Sequence, residues 1–162
     1  MGEAQAKSPA LGTDPAPPTV LDPRTATSKQ RVLVAEDSHA VRKQLVEVLG
    51  ALPGVEVVVA ADGLKALALA KEQPPALLIC DNEMPGMSGI QLVRILRGSW
   101  SRFELPILML TIHNATHTKV TAFQHGANDY VTKPVEPAEL TARVQSQLDM
   151  RRAVEESFKA RV

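Results

Sequence analysis

Five polar residues stand at or just after the ends of short apolar runs, and their types together suggest one chemistry. They are Glu36, Asp37, Asp81, Thr111 and Lys133. Three carboxylates packed together repel one another unless a cation lies among them. Such oxygen ligands suit Mg²⁺, which keeps several waters and favours sites shared with phosphate. A hydroxyl and an ammonium group beside them would bind phosphate oxygens. The set therefore predicts a magnesium-dependent phosphoryl site.

Each of these residues alone has a simpler interpretation. Asp37 or Ser38 could cap a helix, Asp81 could open a turn, and Thr111 and Lys133 could be solvated. The joint interpretation requires a fold that brings the ends of separate segments together.

The apolar runs alternate with segments of helical periodicity, which predicts five strand–helix units. Unbroken apolar strands are buried on both faces, so the pattern favours a parallel sheet covered by helices. In open parallel sheets, sites form beyond the carboxyl ends of the strands. We predict an α/β fold, a doubly wound five-stranded parallel sheet flanked by five helices. Predicted strands are 32–35, 55–60, 76–80, 106–110 and one containing 130–131, and predicted helices are 41–52, 64–72, 90–97, 115–124 and one opened by Pro137.

Composition excludes several classes of function. The 162 residues include 18 Lys and Arg against 18 Asp and Glu, so no net charge attracts nucleic acid or an anionic membrane. Aromatic residues are 3% of the chain, too few for a base-stacking platform. Cys80 is the single cysteine, which rules out an intrachain disulfide. With no signal peptide or transmembrane run, we expect a cytoplasmic protein without direct nucleic-acid or membrane partners.

The two ends of the chain differ from its centre. Residues 1–30 hold five of the twelve prolines and no aromatic residue, which predicts a disordered tail. Residues 31–149 form the predicted domain. Residues 150–162 continue the last helix, with apolar side chains every fourth position at Val154, Phe158 and Val162. That helical extension could dimerise, lead into a further domain or fray.

Four segments resemble the response regulator receiver domain of two-component signalling, in the family's order and spacing. They are VLVAED, LLICDNEMPGMSG, ILMLT and GANDYVTKP, and the resemblance covers about residues 31–149. It implies a flavodoxin-like receiver fold. It also implies a sensor histidine kinase or phosphotransfer protein as phosphoryl donor, and a downstream output domain or protein as the second partner.

The resemblance also assigns roles to individual residues. Asp81 would be the phosphoacceptor, and Glu36 and Asp37 would hold Mg²⁺ together with Asp81 and the backbone carbonyl of Glu83. Thr111 and Lys133 would bind the phosphoryl oxygens.

Further expectations follow from the same resemblance. Tyr130 would be the switch aromatic, and Lys133-Pro134 would be a cis peptide bond. Ile112 stands where the family generally has a small residue, and His113 occupies a position that tunes the lifetime of the phosphoryl group. Glu36 replaces the more usual Asp.

Three functions are compatible with these residues. The first is a phosphorylation-controlled signalling switch that is not an enzyme beyond its own phosphorylation and dephosphorylation. The second is the N-terminal regulatory receiver of a larger output protein, a cyclase or a DNA-binding regulator. The third is an aspartyl-phosphate phosphatase, although the DxDx(T/V) motif of that class does not follow the first strand here.

Overall fold

A computed structural model describes residues 29–112 and 116–161, with side chains described as far as Phe158. Most of the predicted N-terminal tail and the predicted access residue His113 therefore lie outside the described residues. Lys29 and Gln30 are the two tail residues within the described part, and Gln30 already belongs to the first strand.

Ten elements alternate along the chain and form one parallel sheet in the order β2-β1-β3-β4-β5. This confirms the predicted fold class, with most element ends within two residues of their predicted positions. The strands are β1 Gln30–Ala35, β2 Val55–Ala60, β3 Leu77–Asp81, β4 Ile107–Ile112 and β5 Asp129–Lys133, and the helices are α1 His39–Gly50, α2 Gly63–Glu72, α3 Gly89–Arg97, α4 Thr116–His125 and α5 Pro137–Arg161.

The three central strands supply most of the core, since their apolar runs are buried on both faces. On one face they pack against apolar residues of α1 and α5, including Leu45, Leu49 and Leu140. On the other face they pack against α2, α3 and α4. The expectation of burial on both faces is wrong for β2, where Val59 is 44% exposed, because β2 lies at the sheet edge.

Helix caps place the strand-to-helix turns at the carboxyl edge of the sheet. Ser38 caps α1 by accepting a hydrogen bond from the Val41 N–H, and Ser88 caps α3 in a reciprocal arrangement with Gln91. A Cβ at Gly89 would lie 2.5 Å from the carbonyl oxygen of Asp81. Only glycine therefore allows α3 to start so close to the end of β3.

The last helix continues without a break from Pro137 to Arg161 and therefore includes residues 150–161. The Lys133-Pro134 peptide bond is cis, as the resemblance implied. None of the helices in the described ranges has the length and apolar composition that crossing a bilayer requires.

Candidate functional site

The parallel register brings the five predicted site residues to one edge of the sheet. Glu36 and Asp37 follow β1, and Asp81 ends the neighbouring strand β3. Thr111 on β4 lies one register position beyond the pair formed by Asp81 and Leu110, and Lys133 ends β5. Strands β1 and β3 are the pair at which the strand order reverses, which is where ligands bind in such sheets.

The three acidic side chains form a compact cluster. Glu36, Asp37 and Asp81 each offer a carboxylate oxygen, and these oxygens all lie within 4.8 Å of one another. Glu36 and Asp81 are buried, whereas Asp37 is exposed. Burial raises the pKa of Glu36, and the charge of Asp81 raises it further. The Ser38 N–H, 3.0 Å from Glu36 Oε2, and the Lys133 ammonium oppose that rise only in part.

The Lys133 ammonium lies between two of these carboxylates. Its Nζ is 2.8 Å from Asp81 Oδ2 and 3.1 Å from Glu36 Oε1. Burial alone would lower the pKa of Lys133, but the contacts with Asp81 and Glu36 outweigh burial and raise it. One ammonium against three carboxylates leaves two formal negative charges, which fits a divalent cation bound by oxygen ligands.

Thr111 is buried at 2% exposure, and its hydroxyl has no hydrogen-bond partner among the described residues. Within the described ranges Arg31 Nε is a second buried side-chain atom without a partner, whereas the buried Glu36 Oε1 has the Lys133 ammonium 3.1 Å away as its ion-pair partner. An unpaired buried polar group costs about 1–3 kcal/mol. The Thr111 hydroxyl is thus a polar group of the predicted site that a ligand would satisfy.

The loop after Asp81 is held by its own backbone. The Glu83 N–H donates to Asp81 Oδ1 over 3.1 Å. Asn82 accepts from the Ile90 N–H through its side chain and from the Gly89 N–H through its carbonyl, which ties the loop to the start of α3. Asn82 is not among the predicted site residues, although its position between Asp81 and a loop with two glycines was a usable signal.

Tyr130 lies on β5 next to α4 and is partly buried. Lys119 Nζ is 4.3 Å from the centre of the ring, and the Phe123 ring meets it edge-on with the centroids 5.8 Å apart. The ring is thus held between a cation and an aromatic side chain of α4.

Ile112 is the last residue of β4, directly after Thr111, and its side chain is 57% exposed. That exposure excludes a role in core packing and leaves the side chain free to affect access. Cys80, immediately before Asp81, is fully buried, and burial raises the pKa of its thiol, with the charge of Asp81 adding to the rise.

Comparison with known proteins gives matches over this same part of the chain. A family model of the response regulator receiver domain matches residues 32–145. The DNA-binding response regulator MtrA of Mycolicibacterium smegmatis is 39% identical over 122 residues, which are 75% of this chain and 52% of that protein. The chain spans about half the length of the curated relatives it matches.

Solved structures agree with the sequence matches. The chemotaxis response regulator CheY4 of Vibrio cholerae has a TM-score of 0.68 at 32% identity, with 74% of this chain and 99% of that chain covered. A protein described as a two-component system response regulator/GGDEF domain protein has a TM-score of 0.72 at 31% identity, with 76% of this chain and 50% of that chain covered.

Proposed function

Because the chain belongs to the response regulator receiver domain family, we propose that it is a phosphorylation-controlled signalling switch whose phosphoacceptor is Asp81. The observation that carries the proposal is the setting of the Asp81 carboxylate. Its Oδ1 accepts from the Glu83 N–H, and its Oδ2 is paired with Lys133 beside the acidic residues Glu36 and Asp37.

The donor set fits Mg²⁺, and we propose that Glu36, Asp37, Asp81 and the Glu83 carbonyl hold it. Two net negative charges and three carboxylate oxygens within 4.8 Å of one another support this assignment. When bound, Mg²⁺ supplies the positive charge that lets an anionic carboxylate approach an anionic phosphoryl group.

The chain's own residues position the groups that react. A carboxylate oxygen of Asp81 attacks the phosphorus of a phosphohistidine on a sensor kinase or phosphotransfer protein. The phosphorus–nitrogen bond breaks, and its electron pair returns to the histidine nitrogen. The Lys133 ammonium, now paired with Asp81, then pairs with the phosphoryl oxygens. The Thr111 hydroxyl, which has no partner among the described residues, gains one on the same group.

The response reaches the surface through Tyr130. Movement of Thr111 toward the phosphoryl group changes β4, which pairs directly with β5 and therefore with the strand that carries Tyr130. The ring then leaves its contacts with Lys119 and Phe123, and the face formed by α4, β5 and α5 changes shape. A new charge that biases two arrangements of one surface is an ordinary signalling switch.

A second function is favoured by the coverage of the relatives. This chain matches about half of MtrA, which is named a DNA-binding regulator, and about half of the protein with a GGDEF domain. We therefore propose that residues 31–149 form a receiver that regulates an output domain, and that α5 leads from the receiver toward that domain. Pairing of two copies through the helix over residues 150–162 is one way in which that regulation could operate.

A phosphatase activity is not favoured. In that class the acidic nucleophile follows the first strand within a DxDx(T/V) motif, whereas no such motif follows β1 here and the proposed phosphoacceptor Asp81 ends β3. We propose that the protein's chemistry is confined to its own phosphorylation and dephosphorylation, in the cytoplasm and without direct contact to nucleic acid.

The test is incorporation of phosphate from a small acyl phosphate in the presence of Mg²⁺, measured by intact-mass spectrometry. We expect one phosphoryl group on the wild type and none on Asp81→Asn. Glu56→Gln, which changes an exposed acidic residue on β2, is the matched control and should incorporate phosphate normally. Equal incorporation by Asp81→Asn and the wild type would show that the phosphoacceptor is a different residue.

A further inference from the structure

Arg42 contacts the loop that carries the two acidic residues, but it does not contact their carboxylates. Its Nη1 donates to the carbonyl oxygen of Glu36 over 2.8 Å and to that of Asp37 over 3.0 Å. Arg42 lies in the first turn of α1, so its side chain reaches back toward the end of β1. A guanidinium group can serve two acceptors at once because its donors lie in a fixed plane.

The other hydrogen bonds of this loop hold its two ends rather than its middle. The Glu36 N–H donates to the Ala60 carbonyl, and the Ser38 N–H donates to Glu36 Oε2. Ser38 is in turn fixed as the cap of α1. Within the described part of the chain, the bond from Arg42 is the only hydrogen bond made by Asp37. Asp37 is also the exposed member of the acidic cluster, so packing does not fix it either.

We propose that Arg42 is a positioning residue that holds the Asp37 segment in place for binding a divalent cation. This inference rests on the proposed function, because it assigns a role in the same site. By binding carbonyl oxygens, Arg42 orders the loop and leaves the three carboxylates available to the cation. Groups that orient metal ligands in this way typically account for about 10- to 100-fold of metal affinity.

Charge and positioning make opposite predictions for Arg42. If the guanidinium acted only through its positive charge, its removal would reduce repulsion and tighten the binding of Mg²⁺. If it acts by ordering Asp37, its removal weakens binding in spite of the favourable change in charge. The sign of the effect therefore distinguishes the two roles.

The experiment is a calorimetric titration of the full chain with Mg²⁺ alone. The melting temperature of each variant is measured as well. We expect Arg42→Met to weaken binding about tenfold or more. Arg42→Lys, which keeps a donor and the charge, should recover most of the loss. Arg42→Gln keeps a donor without the charge and should lie between the wild type and Arg42→Met. Lys43→Met is the matched control, since it removes an exposed cation from the next position of α1.

Each outcome supports or overturns the inference. Weaker binding by Arg42→Met with recovery by Arg42→Lys, while Lys43→Met stays within about twofold of the wild type, supports it. Equal or tighter binding by Arg42→Met overturns it. If Arg42→Met does not fold, Arg42→Gln decides, because the shorter glutamine side chain cannot reach both carbonyl oxygens as Arg42 does. Binding by Arg42→Gln as tight as that of the wild type, or tighter, then overturns the inference. No binding of Mg²⁺ by the wild type would instead overturn the proposed metal site itself, and this inference with it.

Discussion

Buried polar groups at the carboxyl ends and at the amino ends of the strands differ in how far the fold supplies them with hydrogen-bond partners. At the carboxyl edge, Glu36 and Asp81 are buried beside each other, and the Thr111 hydroxyl has no partner within the described part of the chain. At the amino edge, the partly buried guanidinium of Arg97 on α3 is surrounded by acceptors. It donates to the carbonyl oxygens of Trp100, Ser101, Leu105 and Gly126 and to the Asn128 side chain.

The contrast separates a structural polar group from a functional one. Burial lowers the pKa of Arg97 to about 10, and the nearby charge of Arg102 adds to the fall, yet Arg97 stays protonated at neutral pH. The acceptors of the Arg97 guanidinium are all groups of the folded chain itself. Gly126 allows the guanidinium to lie close to the backbone, since a Cβ at this position would lie 2.7 Å from the Arg97 side chain. At the carboxyl edge, burial raises the pKa of Glu36, so folding works against its charged form. The polar group at the amino edge is satisfied by contacts within the fold, whereas the buried polar groups at the carboxyl edge belong to the proposed phosphoryl site.

The largest effect that would sharpen this contrast is expected at Arg97. Arg97→Met keeps the length of the side chain but leaves several carbonyl oxygens without a donor. We expect a loss of about 3 kcal/mol in the free energy of unfolding, measured by urea denaturation. Phosphorylation of the folded fraction should be unchanged.

Arg94→Met is the control, because Arg94 is exposed on the same helix. It should alter the free energy of unfolding by less than about 0.5 kcal/mol. An equally small change for Arg97→Met would mean that the amino-edge contacts contribute little to stability.

An intermediate effect is expected at Ile112, where rates rather than stability should change. A β-branched side chain is stiff at χ1 and cannot easily move aside. If Ile112 hinders both small donors and the hydrolytic water, Ile112→Ala should accelerate phosphorylation by acetyl phosphate and loss of the phosphoryl group. A change of about 1.4 kcal/mol in each barrier corresponds to about tenfold.

Because the Ile112 side chain is 57% exposed, the melting temperature should hardly move. Val120→Ala, at a 48% exposed position of α4, is the matched control for loss of an exposed apolar side chain. Unchanged rates together with a clear fall in the melting temperature would contradict a role in access.

The smallest effect is a change in the pH dependence of stability. The pKa of Glu36 is raised in the folded state, so the folded chain binds this proton more tightly than the unfolded chain. Its contribution to stability is therefore fully present below the ordinary pKa of 4.5 and is lost as the pH rises through the raised value. The raised pKa of Lys133 acts in a separate window, since its contribution is lost only above its ordinary pKa of 10.5.

The measurement is the free energy of unfolding of the wild type and Glu36→Gln from pH 4 to pH 8, without divalent cations. The wild type should become less stable relative to the variant as the pH rises. Glu56→Gln, which alters an exposed acid, is the control. If the difference in free energy of unfolding between the wild type and Glu36→Gln stays constant or changes in the other direction, burial of the charged Glu36 carboxylate does not destabilise the fold.

Local patterns were sufficient to predict much of the fold and most of the candidate site. The apolar runs that end at Glu36, Asp81 and Thr111 mark buried strands, because a strand covered on both faces needs unbroken apolar sequence. Ser38 was identifiable as a cap from its place before a helical period. The contact between Arg42 and two carbonyl oxygens was missed, since a basic residue near two acids suggests pairing with the carboxylates instead.

By itself, the sequence determined the number and order of the strands and helices and the residues at the strand ends, because these depend on neighbours a few positions away. Only the tertiary structure decided which strands lie at the edges and how exposed β2 is. It also decided the pairing of Lys133 with Asp81, 52 residues apart, and of Arg97 with Asn128, 31 residues apart. Such contacts depend on strand order and on differences in distance of a few tenths of an ångström. Both are set by packing of the whole core and have no local signature in the sequence.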